Sequence, residues 1–314
     1  MIKTGIYRAE ELTDTQNMQA FWGGKRHASL TLYEHAKGHV LSDAWAEHIL
    51  LFASDSRGTY KRTYCNRFDE FDAICMKHIA NNFDFKTALN VHDVAVSDAR
   101  TACDFFSKLV KKYPVMNYIA SDYDSVLKVV EVGNQKVTLD TQNQPIEIVF
   151  PPFVFNLKRI DKTYLYPINH LFFLYASKFL LPRIMHRFET GELKITKSIA
   201  FFSQRAIKLA QIDHRFKLMT YDILQPSILN TPVQVIRAMN VLNPAYFDLE
   251  KLQIVIGHFF NALAQGGLLV TGSNGDSNSP VRGGIYRKRG NGFDVLWQTE
   301  ELYYAHQSIA DFKF

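Results

Sequence analysis

Residues 89–101 read LNVHDVAVSDART, and no other stretch limits the fold as strongly. A short apolar run holding Leu89, Val91 and Val94 ends beside an acid, Asp93, and then Ala95, Ser97 and Ala99 alternate with larger residues. A run of that length bounded by small residues reads as a buried strand entering a loop. Helical spacing follows over Arg100–Lys112, closed by Lys108, Lys111 and Lys112 just before Pro114. Cations there suit the negative end of a helix dipole. Met116–Ser121 reads as a second strand. Strand, helix and strand joined by short links require a right-handed parallel crossover.

Further parallel-sheet signals come late in the chain. Phe216–Thr220 and Val233–Ala238 read as strands, Leu249–Ala264 as a helix, and Gly267–Gly272 as a strand opened by a Gly-Gly turn. The expected class is α/β, a doubly wound Rossmann-like sheet. More residues separate Asp122 from Phe216 than one crossover helix needs, so an insertion is expected. Its first part alternates apolar and polar residues around Gly133-Asn134 and Asn143-Gln144, as an antiparallel meander does. Its second part, Tyr164–Glu189, is an apolar helix. The expected organisation is an N-terminal helical portion over residues 1–80, with helices at Ser42–Ala53 and Phe68–Ala80, and a sheet domain over 81–314. An inserted cap of meander plus helix occupies 128–190, at the carboxyl edge where open sheets bind ligands.

Composition excludes several classes. A net charge of +5 over 314 residues is modest, and its sources are interspersed with acids, which gives no strong nucleic-acid signal. The densest basic cluster, Arg282, Arg287, Lys288 and Arg289, lies in a Gly-rich segment that reads as a charged hairpin. Cys65, Cys75 and Cys103 have no CxxC spacing, which points to a reducing compartment and to no metal site. The cytoplasm is the expected location, since the opening residues show no secretory pattern. Pro167–His186 carries Asn169, His170, Lys178 and Arg183, too many polar groups for a membrane span.

The 89–101 stretch resembles the nucleotide loop of class I S-adenosylmethionine (SAM) methyltransferases, with Ala95, Ser97 and Ala99 where that family has glycines. The resemblance covers about residues 85–125 and 195–300 and implies SAM as cofactor. By it, Asp93, Ala95, Ser97 and Ala99 belong to the cofactor loop. Asp122, with Tyr123 beside it in the ASDYD segment, matches the acid that accepts both ribose hydroxyls, and Asp222 with Ile223 the pair that holds the adenine amino group. Asn240 stands where the methionine moiety or an acceptor is touched. Asn240, Val241, Tyr246, Phe247, Asp248, Gly266 and Gly267 resemble a segment of the chemoreceptor glutamate methyltransferases, although Arg237 stands three residues before Asn240 rather than directly before it.

A Cβ disfavours positive φ by roughly 1–2 kcal/mol per residue, so a glycine-free loop is expected to be shaped differently from the family's. Methyl transfer needs alignment more than an acid or base, so the expected catalytic groups are positioning ones: Asn240, with Tyr166 and Asn169 from the inserted helix. The function implied is methyl transfer to a small molecule or a peptide. A second reading is attack at another sulfonium carbon, by aminocarboxypropyl transfer or by cyclisation with release of methylthioadenosine. A third is a binding protein without catalysis. The sequence leaves the oligomeric state open.

Overall fold

The computed structural model describes residues 2–13, 27–37, 46–47, 49–50, 63–157, 166–274 and 279–314. The chain divides into two compact units, one of residues 1–63 with 124–204 and the other of 64–123 with 205–314. The division therefore falls elsewhere than at 80, 128 and 190. Most of the helix expected at Ser42–Ala53, and Tyr164 at the start of the apolar helix, lie outside the described residues.

The second unit holds a seven-stranded sheet. Its strands are β1 (Leu89–Val94), β2 (Met116–Asp122), β8 (Phe216–Thr220), β9 (Val233–Met239), β10 (Leu263–Ser273), β11 (Arg282–Arg289) and β12 (Gly292–Gln298), in the order β12-β11-β10-β9-β1-β2-β8. From β10 to β8 all pairs are parallel, and β11 and β12 add an antiparallel hairpin edge. In order of appearance the parallel strands stand 3-2-1-4-5, the doubly wound Rossmann-like arrangement. The helix expected at Phe68–Ala80 is α3 (Asp69–Asn82), preceded in the chain by α1 (Glu10–Thr13) and α2 (Leu32–Lys37). It belongs with this sheet rather than with the preceding residues.

Within this unit, α4 (Arg100–Leu109) ends one turn before Lys112, and Lys108 pairs with Asp69 of α3 at 2.7 Å. The long helix α8 (Leu249–Ala262) is capped at both ends. The Asp248 carboxylate accepts the Lys251 N–H at 2.9 Å, and the Lys288 ammonium donates to the Phe260 and Leu263 carbonyls at 2.6 and 2.8 Å. Leu252, Val255, Ile256 and Phe259 of α8 pack with Val233, Ile236 and Leu269 of the sheet. The basic cluster is a hairpin edge as expected. Arg287 and Arg289 both reach Asp294 across it, and a short helix, α9 (His306–Ala310), follows.

The first unit is built on the antiparallel sheet expected of the insertion, with β3 (Val126–Val132), β4 (Gln135–Leu139), β5 (Pro145–Phe150), β6 (Phe153–Asn156) and β7 (Lys197–Ala200) in the order β6-β5-β4-β3-β7. Ile6, Leu30, Leu32 and Tyr33 cluster with Leu127, Val129, Ile146 and Ile199. That is why the first residues of the chain join the insertion instead of forming a domain of their own. The buried Glu147 carboxylate fixes this junction by accepting from Ser29 Oγ at 2.7 Å and the Leu30 N–H at 3.1 Å. A second cluster joins Val130, Val137 and Ile148 to Ala176 and Ile184 of the apolar helix. That helix comprises α5 (Pro167–Tyr175), a π turn (Ala176–Leu180) and α6 (Leu181–Glu189), and α7 (Gln204–Ile212) lies beyond it in the chain.

Candidate functional site at the carboxyl edge of the parallel sheet

After β1 the chain builds β2 and β8 to one side and then β9 and β10 to the other, so the border of β1 and β9 is the switch point of the sheet. Open α/β sheets take ligands in the crevice at the carboxyl ends of such strands. The loop leaving β1 has positive φ at Ala95 (55°), Ser97 (57°) and Ala99 (65°), and Asn240, leaving β9, has φ 59°. The expectation that Cβ-bearing residues avoid positive φ here is thus corrected. Each residue standing for a glycine adopts the left-handed conformation that glycine would take without penalty.

Neighbouring groups hold the loop in this form. The Val96 N–H donates to the Ser121 carbonyl at 3.1 Å, the Ser97 N–H to Asp122 Oδ2 at 2.7 Å, and the Ala99 N–H to the Val96 carbonyl at 2.9 Å. Asp98 and Arg100 turn inward as a buried ion pair, Nε to Oδ2 at 2.6 Å. The Ser97 hydroxyl oxygen is itself buried and has no hydrogen-bond partner among the described residues. On β1, His92 meets Ser121 Oγ at 2.8 Å, and burial pushes its pKa down to about 4, so it is neutral at pH 7.

Asp93 takes a different part from the one the resemblance implies. Its carboxylate is closed off from solvent and accepts from the Tyr118 hydroxyl at 2.5 Å and Arg237 Nη1 at 2.9 Å. Arg237 Nη2 donates at 2.9 Å to Asp72 of α3, and the guanidinium lies over the rings of Phe105 and Phe68, 4.8 and 5.3 Å from their centroids. Register makes the first contact, since Asp93 and Arg237 are direct neighbours on β1 and β9. Burial raises Asp72 to about 6 against the pull of Arg237 and Lys108, and it raises Asp93 as well. Asp93 is therefore a structural tie under the loop.

The other expected residues are distributed as follows. Asp122 ends β2 beneath the loop, with Tyr123 half-buried after it. Asp222 follows β8, half-buried, and its Oδ1 accepts the Leu224 N–H at 3.0 Å, while Ile223 is buried. The Asn240 side chain pairs with Asn274 at the end of β10, accepting its N–H at 2.9 Å and donating to its Oδ1 at 3.3 Å. Arg67 Nε donates to that same Asn274 oxygen at 3.0 Å. Ala95, Ser97, Ala99, Asp122, Asp222 and Asn240 thus share the carboxyl edge. Tyr166 and Asn169 belong to the other unit. There Asn169 Oδ1 accepts the Lys3 N–H at 2.9 Å and its Nδ2 donates to the Lys3 carbonyl at 2.7 Å, while the Lys3 ammonium lies over the Tyr166 ring at 4.4 Å. Asn169 is a structural tie rather than a free amide.

Sequence reasoning missed Asp72, Tyr118 and the Asp98–Arg100 pair. The one local signal was an arginine inside the apolar strand VQVIRAM, because a charge at a core position demands a partner.

No family model matches the sequence, and no curated protein does. Solved structures with a distant likeness include methyltransferases. The N-methyltransferase NodS of Bradyrhizobium japonicum WM9, solved with S-adenosyl-L-homocysteine, has a TM-score of 0.32 at 14% identity over 69% of this chain and 67% of its own. The SAM-bound amino pentose methyltransferase CalS10 of Micromonospora echinaspora has 0.33 at 10% over 77% and 80%. An O-methyltransferase family protein of Burkholderia thailandensis has 0.28 at 13% over 65% of this chain and only 40% of its own. Likenesses this distant carry no inference about ligand or reaction.

Proposed function

We propose that this chain is a SAM-dependent transferase of the methyltransferase type, acting on a small-molecule or peptide acceptor. One observation carries the reading: three left-handed residues alternate in the loop at the sheet's switch point, at the positions where the methyltransferase pattern has glycines. Conformations that cost a Cβ-bearing residue about 1–2 kcal/mol each persist where the surroundings impose them, and such positions gather at ligand sites. The buried Ser97 hydroxyl without a partner fits a polar ligand group over the loop. SAM, when bound, supplies an electrophilic carbon attached to a sulfonium.

In this reading Asp122 accepts from the ribose hydroxyls, because a carboxylate offers enough lone pairs for a diol. Asp222 and the Ile223 N–H hold the adenine edge. Asn240, fixed by Asn274, positions the methionine moiety or the acceptor. Alignment then supplies the acceleration, and no acid or base is required of the loop.

The three Cβ atoms on the loop also support a second reading, since they take up room that glycines leave free. A displaced cofactor would present another sulfonium carbon, giving aminocarboxypropyl transfer or cyclisation. Calorimetric titration with SAM, followed by mass spectrometry of the products, separates the readings. Adenosylhomocysteine formed only with an acceptor supports methyl transfer, and methylthioadenosine formed without one supports the second reading. Binding without turnover over a broad acceptor panel would leave a non-catalytic SAM-binding protein, and absence of binding would overturn the whole proposal.

A further inference from the structure

The apolar stretch Pro167–Glu189 has no part in the proposed reaction, and its sequence shows why it needs one of its own. Asn169, Phe173, Ala176, Leu180 and Ile184 form one face. Asn169, Ala176 and Ile184 are buried, and Phe173 meets Phe155 of the antiparallel sheet at 5.6 Å. Such a helix ordinarily turns polar residues outward. Here the outward row is Ile168, Leu171, Tyr175 and Phe179, at i, i+3, i+7 and i+11, while Phe172 turns back to stack on Phe153 at 4.6 Å and one edge of Tyr175 meets Phe150 at 5.8 Å. Leu171 and Phe179 are 66% and 69% exposed, Ile168 and Tyr175 44% and 46%. The π turn keeps Phe179 in line with this row, stacked on Tyr175 at 6.0 Å.

Charge decides what covers this face. From Pro167 to Phe188 there is no aspartate or glutamate, but there are His170, Lys178, Arg183, His186 and Arg187, and Glu189 closes the helix. Arg187 is held by Glu192 at 3.0 Å. Lys178 and Arg183 are exposed and have no acidic partner among the described residues. A two-fold contact would pair this face with itself, and from Pro167 to Phe188 the face has no acidic group to offer Lys178 and Arg183. An anionic bilayer surface satisfies both features, burying the apolar row at the headgroup boundary and neutralising the cations. No helix among the described residues is long and apolar enough to cross a membrane, so the helix would lie in the interface.

We propose that the outward face of residues 168–183 docks the protein on anionic lipid surfaces. The proposal is independent of the cofactor reading. It is tested by co-sedimentation of the full chain with phosphatidylcholine vesicles containing or lacking phosphatidylserine. Binding is expected to require phosphatidylserine and to weaken with salt. Lys178→Glu with Arg183→Glu is expected to weaken it at least about tenfold, each cation near such a surface being worth roughly a factor of five. Leu171→Glu with Phe179→Glu is expected to abolish it, with thermal melts confirming that these outward variants fold. Phe179→Trp adds a signal, a blue shift of the new indole on binding. The proposal is overturned if vesicles pellet no protein, or if the charge and apolar variants bind as the wild type does. It also fails if sedimentation equilibrium shows a dimer that Phe179→Glu dissociates, which would give this face to a second copy.

Discussion

The hairpin turns of the antiparallel sheet and the loop after β1 use the same backbone conformation with different residues. The turns at β3–β4 and β4–β5 place Gly133 (φ 60°) and Asn143 (φ 63°) in the left-handed region, and Gly191, Gly266 and Gly290 do so elsewhere. Among the described residues, every left-handed position outside the β1 loop is Gly or Asn, the residues that adopt it at least cost. Inside the loop they are Ala95, Ser97 and Ala99. Turns that only reverse the chain rely on residues that favour the turn, whereas the loop is held in shape against its residues' preference. Three such positions cost roughly 3–6 kcal/mol relative to glycine, and what opposes that cost must lie in the loop's surroundings.

The largest test removes the tie beneath the loop. Arg237 joins β9 to Asp93 of β1 and Asp72 of α3, and all three side chains are buried. Arg237→Ala leaves Asp93 buried without its cation and Asp72 with only the Lys108 ammonium at 3.8 Å, and loss of one partner of a buried pair costs about 3–5 kcal/mol. Urea unfolding is expected to show that loss, with faster hydrogen exchange at Val96–Ala99 in what remains folded. If exchange in the loop is unchanged, the tie is not what imposes the loop's shape.

A smaller effect comes from pH. Burial raises Asp72 from an ordinary carboxylate value to about 6, so the fold favours its protonated form. Its stabilising contribution is full below about pH 4 and is lost as pH rises through 6, a change of roughly 3 kcal/mol. His92 runs the other way. Burial lowers it to about 4, so its contribution is full above 6.5 and is lost as pH falls through 4. The two oppose each other over the same window, so the wild-type curve alone cannot separate them. Asp72→Asn removes the first contribution only, and the stability of wild type minus variant is expected to grow as pH falls from 7 to 4. A flat difference would show that Asp72 ionises normally.

These residues also mark what was legible in the sequence. The β1–α4–β2 crossover, β8, β9, β10, α8 and the meander all follow from local periodicity, because each buries a face whose pattern is written within ten or so residues. The resemblance implies a cofactor role for Asp93 from its position at a strand end, which is local information. Its place in the structure depends on the Asp93–Arg237 register across β1 and β9 and on Asp72 of α3, and Arg237 stands 144 residues from Asp93 and 165 from Asp72 in the chain. No local pattern reports that. The positive φ angles of the loop are illegible for a related reason, since tertiary hydrogen bonds at Asp122 and Ser121 overrule intrinsic preference there. The joining of the first residues to the insertion rests on buried Glu147, 118 residues from Ser29.

Next in size is Asp122→Ala. It takes away the acceptor of the Ser97 N–H at 2.7 Å in a mostly buried position, and a buried donor left without a partner costs about 1–3 kcal/mol. Thermal unfolding is expected to fall accordingly. SAM affinity is expected to fall by a further, separate 1–3 kcal/mol through the unpaired ribose diol. Loss of stability with unchanged SAM affinity would confine Asp122 to shaping the loop.

The smallest effect compares the two kinds of turn directly. Gly133→Ala adds a Cβ at φ 60° with no atom within 4 Å of it, so its whole effect is conformational, a destabilisation of about 1 kcal/mol. Ala95→Gly reverses that change at φ 55°. Relief of 1–2 kcal/mol is offset by the larger conformational entropy of the unfolded glycine chain, about 0.4–1 kcal/mol, and by the packing its methyl makes against the α8 cluster. A net gain of a few tenths to about 1 kcal/mol is expected, read as a rise in Tm. Should Ala95→Gly instead lower Tm as much as Gly133→Ala does, the Ala95 methyl is a packing group and the loop is not strained there. Should Tm rise while SAM affinity falls, the alanine is retained for the ligand, and the loop's departure from glycine is functional.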